Sequence, residues 1–337
     1  MNLFLGFLLV LAAGLLQGTF ILPMTLVKEW SWKHTWAAFS LFGMLVFNWI
    51  ITLVFIPDIF TVYGSSPSHD LALLALFGMG WGVGAVLFGL GMDRLGMALG
   101  YPIIMGLIAS LGALIPLLVF FPQTLLTRRG ALLLAGTGLV VFGIVLSSVG
   151  GSRRAASTTK SDSVQAGAFA AGLTIAILAG ILSCLPNVGM AFGKNVVAAA
   201  GKFGISRLSA GNSVWALLFT FGFLVNFAYC LYLMISRRTL RHYWNRESPR
   251  NLGWSAIMAL MWIGSFYLYG AGATRLGRWG VVAGWPLFIT LSIVVGYLWG
   301  LWRGEWQGAP IAARRLLNSG LVVLIIAVVA VALSNFY

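Results

Sequence analysis

Long apolar runs recurring along almost the whole chain restrict its fold more than any other feature. One helix needs roughly 20 apolar residues to cross the hydrocarbon core of a bilayer. Such runs lie near 3–26, 35–56, 71–92, 96–121, 130–149, 167–192, 209–235, 252–273, 279–302 and 315–335, which predicts about ten transmembrane helices. The 21 basic and 7 acidic residues fall in the short stretches between the runs, as expected where charge at mid-bilayer is strongly disfavoured. With 60% of 337 residues apolar and a mean hydropathy of +0.96, a water-soluble domain is excluded. No Lys or Arg precedes Lys28 and the first run is too long for a cleaved signal peptide, so it is expected to persist as a helix.

A net charge of +14 does not point to nucleic acid, because the basic residues sit in twos and threes beside apolar spans rather than along one face. They read as topology determinants. Loops on the side of the termini hold 7 Lys and Arg; the other side holds 14, among them Lys28, Lys33, Arg94, Arg153, Arg154, Arg237, Arg238 and Arg303. The positive-inside rule therefore predicts both termini outside. Cys184 and Cys230 fall within apolar spans without a Cys or His partner at ligand spacing, so neither a disulfide framework nor a metal site is expected.

The polar, small-residue stretch at 150–163 lies almost at the midpoint and reads as a linker. It divides the chain into a first repeat at 1–150, a cytoplasmic linker at 151–165 and a second repeat at 166–337. Residues 81–96 and 262–277 align without a gap and match at Trp81/Trp262, Leu87/Leu268, Gly89/Gly270, Gly91/Gly272, Arg94/Arg275, Leu95/Leu276 and Gly96/Gly277. Ala13-Gly14 answers Ala179-Gly180, Phe42-Gly43 answers Phe221-Gly222 with Asn48 or Asn226 following, and Gly100-Tyr101-Pro102 answers Gly284-Trp285-Pro286. Five helices per repeat is an odd number, so the second repeat must be inverted relative to the first. Two inverted half-structures can exchange conformations and open a midplane site to either side in turn, which is how many secondary carriers work.

An enzyme needs a constellation of reactive groups. His34, His69 and His242 lie in separate loops and the acids are equally scattered, so no catalytic residues, cofactor or metal site can be assembled. No acid sits at the middle of an expected helix, which disfavours a multidrug cation exporter. Any proton coupling would then fall to Asp93 or Glu29 at helix ends. Within the spans the chemistry is neutral: Gln17, Asn48, Trp81, Tyr101, Asn187, Asn212, Trp215, Trp262, Tyr267 and Trp285 are the expected solute-binding residues. Amides in hydrocarbon must find partners, and those in a cavity can exchange hydrogen bonds with hydroxyls while indole and phenol faces stack on the C–H side of a sugar. Pro102 and Pro286 are expected to kink or break helices beside the site.

The stretch Lys28-Glu-Trp-Ser-Trp-Lys-His-Thr-Trp36, with Gly80-Trp81-Gly82-Val83-Gly84 and Leu87-Phe-Gly-Leu-Gly91 leading into Arg94-Leu-Gly-Met97, resembles the L-rhamnose/proton symporter family of the drug/metabolite transporter superfamily. The resemblance runs over essentially the whole chain. It implies a bacterial inner-membrane carrier of ten helices in a five-plus-five inverted repeat, with helices five and ten peripheral to a central cavity. The resulting expectation is a secondary transporter in the lipid bilayer, moving a monosaccharide such as L-rhamnose by alternating access with protons as the coupling ion. An exporter or exchanger of amphipathic metabolites or drugs is the alternative, its aromatics supplying a permissive pocket.

Overall fold

The computed structural model describes residues 3–120, 122–157, 162–276 and 285–333, without the side chains of a few positions near their ends or loops, Trp285 among them. All regular structure among these residues is helical. Eight segments are long and apolar enough to cross a membrane: Phe4–Leu26, Trp32–Phe55, Ser68–Leu95, Arg128–Arg154, Gly167–Phe192, Asn212–Ser236, Ser248–Gly272 and Ile311–Ala330. Two shorter apolar helices, Met97–Gly112 and Leu287–Trp302, accompany them. Phe4, Ile50, Val54, Phe142, Val145, Leu260 and Ile326 are exposed on the outside of the bundle, the surface a lipid-facing protein presents and a soluble one avoids.

The principal elements are α1 (Leu3–Thr19), α2 (Trp32–Ser40), α3 (Asn48–Phe55), α4 (Ile59–Gly64), α5 (Ser68–Leu95), α6 (Met97–Phe120), α7 (Arg128–Ser157), α8 (Asp162–Ser183), α9 (Leu185–Phe192), α10 (Lys194–Lys202), α11 (Arg207–Ala210), α12 (Asn212–Ser236), α13 (Ser248–Arg275), α14 (Trp285–Trp302) and α15 (Ile311–Leu333). A π-helical stretch at Leu41–Phe47 joins α2 to α3. Around the centre, α5 packs on α8 and α12, α1 on α13 and α14, and α6 on α14, while α7 and α15 pair with each other at the periphery. Glycine makes the close central contacts. On α5, a Cβ at Gly82 would come within 2.8 Å of Val225 Cβ, and one at Gly84 within 2.8 Å of Leu182 Cβ, so these helices approach nearly to backbone contact, as small-residue interfaces in membranes do.

Three local expectations change. The helix expected to end at 149 continues to Ser157, through the glycines that read as a linker. Gly150 and Gly151 are contact surfaces instead: a Cβ at Gly150 would fall 2.8 Å from the Ala313 carbonyl oxygen, and one at Gly151 would fall 2.6 Å from Leu99 Cδ2. Gly150→Val is therefore expected to destabilise the fold by about 1–3 kcal/mol through overpacking, where a flexible linker would tolerate it; thermal unfolding in detergent distinguishes the two. Second, α6 passes through Pro102 without a break, and Pro286 stands in the first turn of α14, where its missing N–H is not needed. The interruption lies instead at Cys184, between α8 and α9, where Pro186 occupies the first turn of α9. Third, the helix expected to end at 92 runs on to Leu95 and is capped by Gly96 with φ +76°, a left-handed conformation that glycine adopts without a Cβ penalty.

Candidate functional site

The break between α8 and α9, the π-helical stretch and the end of α1 converge on one cavity. Its atom-free space, the open mouth included, is about 700 Å³. Aromatic rings make most of the wall. Trp81 of α5 stacks on Trp262 of α13 with centroids 5.8 Å apart and planes 15° from parallel. Phe219 of α12 sits 4.9 Å from each indole. Phe20, Trp36, Phe39 and Phe88 form a second cluster, with Phe20 and Phe88 6.0 Å apart. Polar character comes from Gln17, Ser183 and Asn187. Gln17 Oε1 accepts the Ser265 hydroxyl at 2.6 Å, so the amide N–H groups are what it can offer to a ligand.

The expected site residues separate into two groups. Gln17, Trp81, Asn187 and Trp262 line the cavity together. Tyr101 is fully buried and donates to the Gln17 carbonyl at 2.6 Å; it braces the wall from behind. Asn48 is fully buried and its Nδ2 donates to the Met44 and Ala216 carbonyls at 3.1 and 3.3 Å, so it clamps helices rather than lining the cavity. Trp215 stacks on Phe219 at 5.3 Å, one layer out. Asn212 is buried at the start of α12 and Tyr267 stacks with Phe55; neither lines the cavity. Trp285 lies outside the residues whose side chains are described. Glu29 is exposed in the loop after α1 with φ 61°, while Asp93 ends α5 in a second, more polar cavity shared with Glu305.

The sequence reading missed Ser183, Phe219 and the Phe20–Trp36–Phe39–Phe88 cluster. Ser183 stands four residues before Asn187, a spacing that signals one helical face, but the break at Cys184 decides that both turn inward. Trp36 was legible only as part of a motif. Asn226, the partner of Asn48 in the repeat, donates to the Gly82 carbonyl at 3.0 Å and the Gly222 carbonyl at 2.8 Å, and accepts Trp36 Nε1–H at 2.8 Å. Each of these asparagines thus bonds the carbonyl four residues back on its own helix and one carbonyl on a helix from the other part of the chain.

The Lys28–Trp36 motif itself forms a strap on the side of the basic loops. Asn251 of α13 accepts from Lys28 N at 3.3 Å and donates to the Lys28 carbonyl at 2.7 Å. Trp30 Nε1–H donates to the His242 carbonyl at 2.9 Å. His34 Nε2 lies 3.0 Å from the Thr239 carbonyl, a bond that requires Nε2–H, and its Nδ1 is 3.0 Å from Ser31 Oγ. Tyr243 donates to the His34 carbonyl at 2.8 Å; burial raises its phenol above the ordinary value, which keeps that donor protonated. Apart from the Ser31–His34 contact, these bonds join the loop after α1 and the first turn of α2 to Thr239, His242 and Tyr243 before α13 and to Asn251 in its first turn.

A sequence profile of the family described as L-rhamnose-proton symport protein matches residues 1–335. The L-rhamnose-proton symporter of Yersinia pestis (strain Pestoides F) is 27% identical over 332 residues, covering 96% of this chain and 95% of that protein. The L-rhamnose-proton symporter of Salmonella gallinarum (strain 287/91 / NCTC 13346) is 27% identical over 316 residues, covering 91% of each.

Proposed function

The chain belongs to the L-rhamnose-proton symport protein family, a family of transporters rather than enzymes, and from that premise we propose that it carries L-rhamnose or a closely related sugar across the bacterial inner membrane together with protons. The observation that carries the reading is the cavity, which stacked indoles line together with Gln17, Ser183 and Asn187. A 6-deoxy sugar has both faces this asks for, hydroxyls for the amides and C–H groups for the rings. The family match favours this over the amphiphile exporter.

The proposed architecture is ten crossings in two inverted repeats, 1–150 and 166–337, around residues 151–165, with the helices at Met97–Gly112 and Leu287–Trp302 as the remaining two crossings. Two contacts support it. Trp81 and Trp262, equivalent in the sequence repeat, meet face to face, as residues beside a local two-fold axis do. Asn48 and Asn226 make equivalent pairs of bonds in opposite directions. Alternating access then moves one repeat against the other around the cavity, with both termini outside the cytoplasm.

Uptake of labelled L-rhamnose into proteoliposomes, with and without an imposed pH gradient, tests the function; no uptake across a panel of deoxyhexoses and hexoses overturns it. Asn187→Ala and Gln17→Ala are each expected to raise KM about tenfold, the cost of about 1.4 kcal/mol of lost hydrogen bonding. Tyr267→Phe, away from the cavity, should leave KM at the wild-type value. Equal KM in all three would move the site elsewhere.

A further inference from the structure

Proton coupling needs a titratable group whose protonation alters a contact between parts that move. Among the described acids, Glu29, Asp58 and Asp93 are exposed at loops and helix ends. Glu247 pairs with Arg250 at 3.3 Å. Asp70 is buried against Asn195 and His69, at 2.8 Å from each. Glu305, in the loop between α14 and α15, differs from all of them. Its Oε1 accepts the Met97 N–H and its Oε2 the Ala98 N–H, both at 2.9 Å. These are the first two N–H groups of α6, donors that the helix itself cannot satisfy. The carboxylate holds the start of α6 with both oxygens, over more than 200 residues of chain.

We propose that Glu305 is the proton-labile latch of this carrier: as a carboxylate it clamps the start of α6 to the α14–α15 loop, and on protonation it lets that end go. This rests on the proton-symport reading and names the group that executes it. The chemistry is directional. A carboxylate accepts at both oxygens and its charge is stabilised by the N-terminal end of the helix dipole. Protonation turns one oxygen into a donor facing an N–H and removes the charge, so one bond and the dipole attraction are lost together.

The surroundings are built for this. Gly96 has φ +76°, and a Cβ there would lie 2.6 Å from Glu305 Oε2, so backbone conformation and space both require glycine for the carboxylate to seat. The second cavity, about 810 Å³ with its open mouth, is lined by Asp93, Gly96, Met97 and Glu305 and gives the carboxylate a route to water. Asp93 of α5 shares the cavity, and the Arg94 side chain starts over Gly172 of α8. From α7, Arg154 lies 5.1 Å over the Trp306 ring. From α15, Arg314 donates to the Trp306 carbonyl at 2.6 Å. Arg303 on the same loop is exposed, and α6 and α14 bring no charge to the carboxylate. Glu305 makes no ion pair with any described residue. Releasing α6 at this end moves the cavity wall, because α6 carries Met105 and Ile108 into it and holds Gln17 through Tyr101.

Glu305→Gln keeps the shape and one carbonyl acceptor but cannot take up a proton. In proteoliposomes the variant is expected to retain L-rhamnose counterflow within about threefold of wild type and to lose accumulation driven by an imposed pH gradient. Glu305→Asp, which keeps a titratable carboxylate, restores coupling at a lower rate. In wild type, amide exchange at Met97 and Ala98 accelerates relative to an unstructured peptide as pH falls; in Glu305→Gln it does not. Undiminished pH-driven accumulation in Glu305→Gln, or wild-type protection at these two amides that ignores pH, overturns the latch. Wild-type sugar transport indifferent to a pH gradient overturns the proton reading as well, which separates the two failures.

Discussion

Lys28→Cys combined with Arg250→Cys, the exposed neighbour of Asn251, joined by a short cleavable thiol cross-linker, is expected to stop transport while leaving solute binding in place. The Lys28–Trp36 strap closes one face of the molecule by main-chain and indole bonds to the segment between α12 and α13. A carrier working by alternating access must part those segments once per cycle, and a covalent bridge prevents it. Uptake should fall below about a tenth of the uncross-linked rate, since opening is obligatory for every turnover, and return when the linker is cleaved. The central cavity is untouched, so L-rhamnose should still raise the unfolding temperature of the cross-linked protein. The natural cysteines are both buried and offer the reagent little competition. Cross-linked carrier that transports at the original rate would show that this face does not open.

Asn226→Leu is expected to cost about 3 kcal/mol of stability, the combined effect of several unmade buried hydrogen bonds. The fully buried amide serves Trp36 Nε1–H, the Gly82 carbonyl and the Gly222 carbonyl at once. Leucine has the same branched skeleton, somewhat more bulk and no polar atom, so the indole N–H and the Gly82 carbonyl are left without this partner inside the bundle. Both carbonyls lie within helices, α5 and α12, and keep a main-chain donor, so the indole N–H bears most of the loss. Thermal unfolding in detergent reads the loss; an unchanged transition temperature would mean that the three bonds are replaced by others.

The two experiments address different parts of one motif. Trp30 and His34 tie the strap to the opposite segment, while Trp36 points inward to Asn226 and the cavity. A segment of nine residues therefore links the contacts on one face to the wall of the cavity.

Sequence alone determined that the chain is helical and membrane-embedded, because backbone hydrogen bonds in lipid leave so few choices and the charges are confined to the gaps between apolar runs. It also singled out Gln17, Trp81, Asn187 and Trp262, since polar or broad aromatic residues within otherwise aliphatic spans need a reason to be there. What it could not separate was an amide that faces a cavity from an amide that meets a neighbouring helix: Asn48 and Asn187 have the same chemistry and similar apolar surroundings in the chain. Their roles diverge because Asn187 follows a helix break that turns it into a cavity, whereas Asn48 finds the Ala216 carbonyl of α12 within reach. Glu305 was invisible for the same reason. Its partners, Met97 and Ala98, are two backbone N–H groups with no side-chain signature, and only the tertiary fold brings the end of α14 against the start of α6.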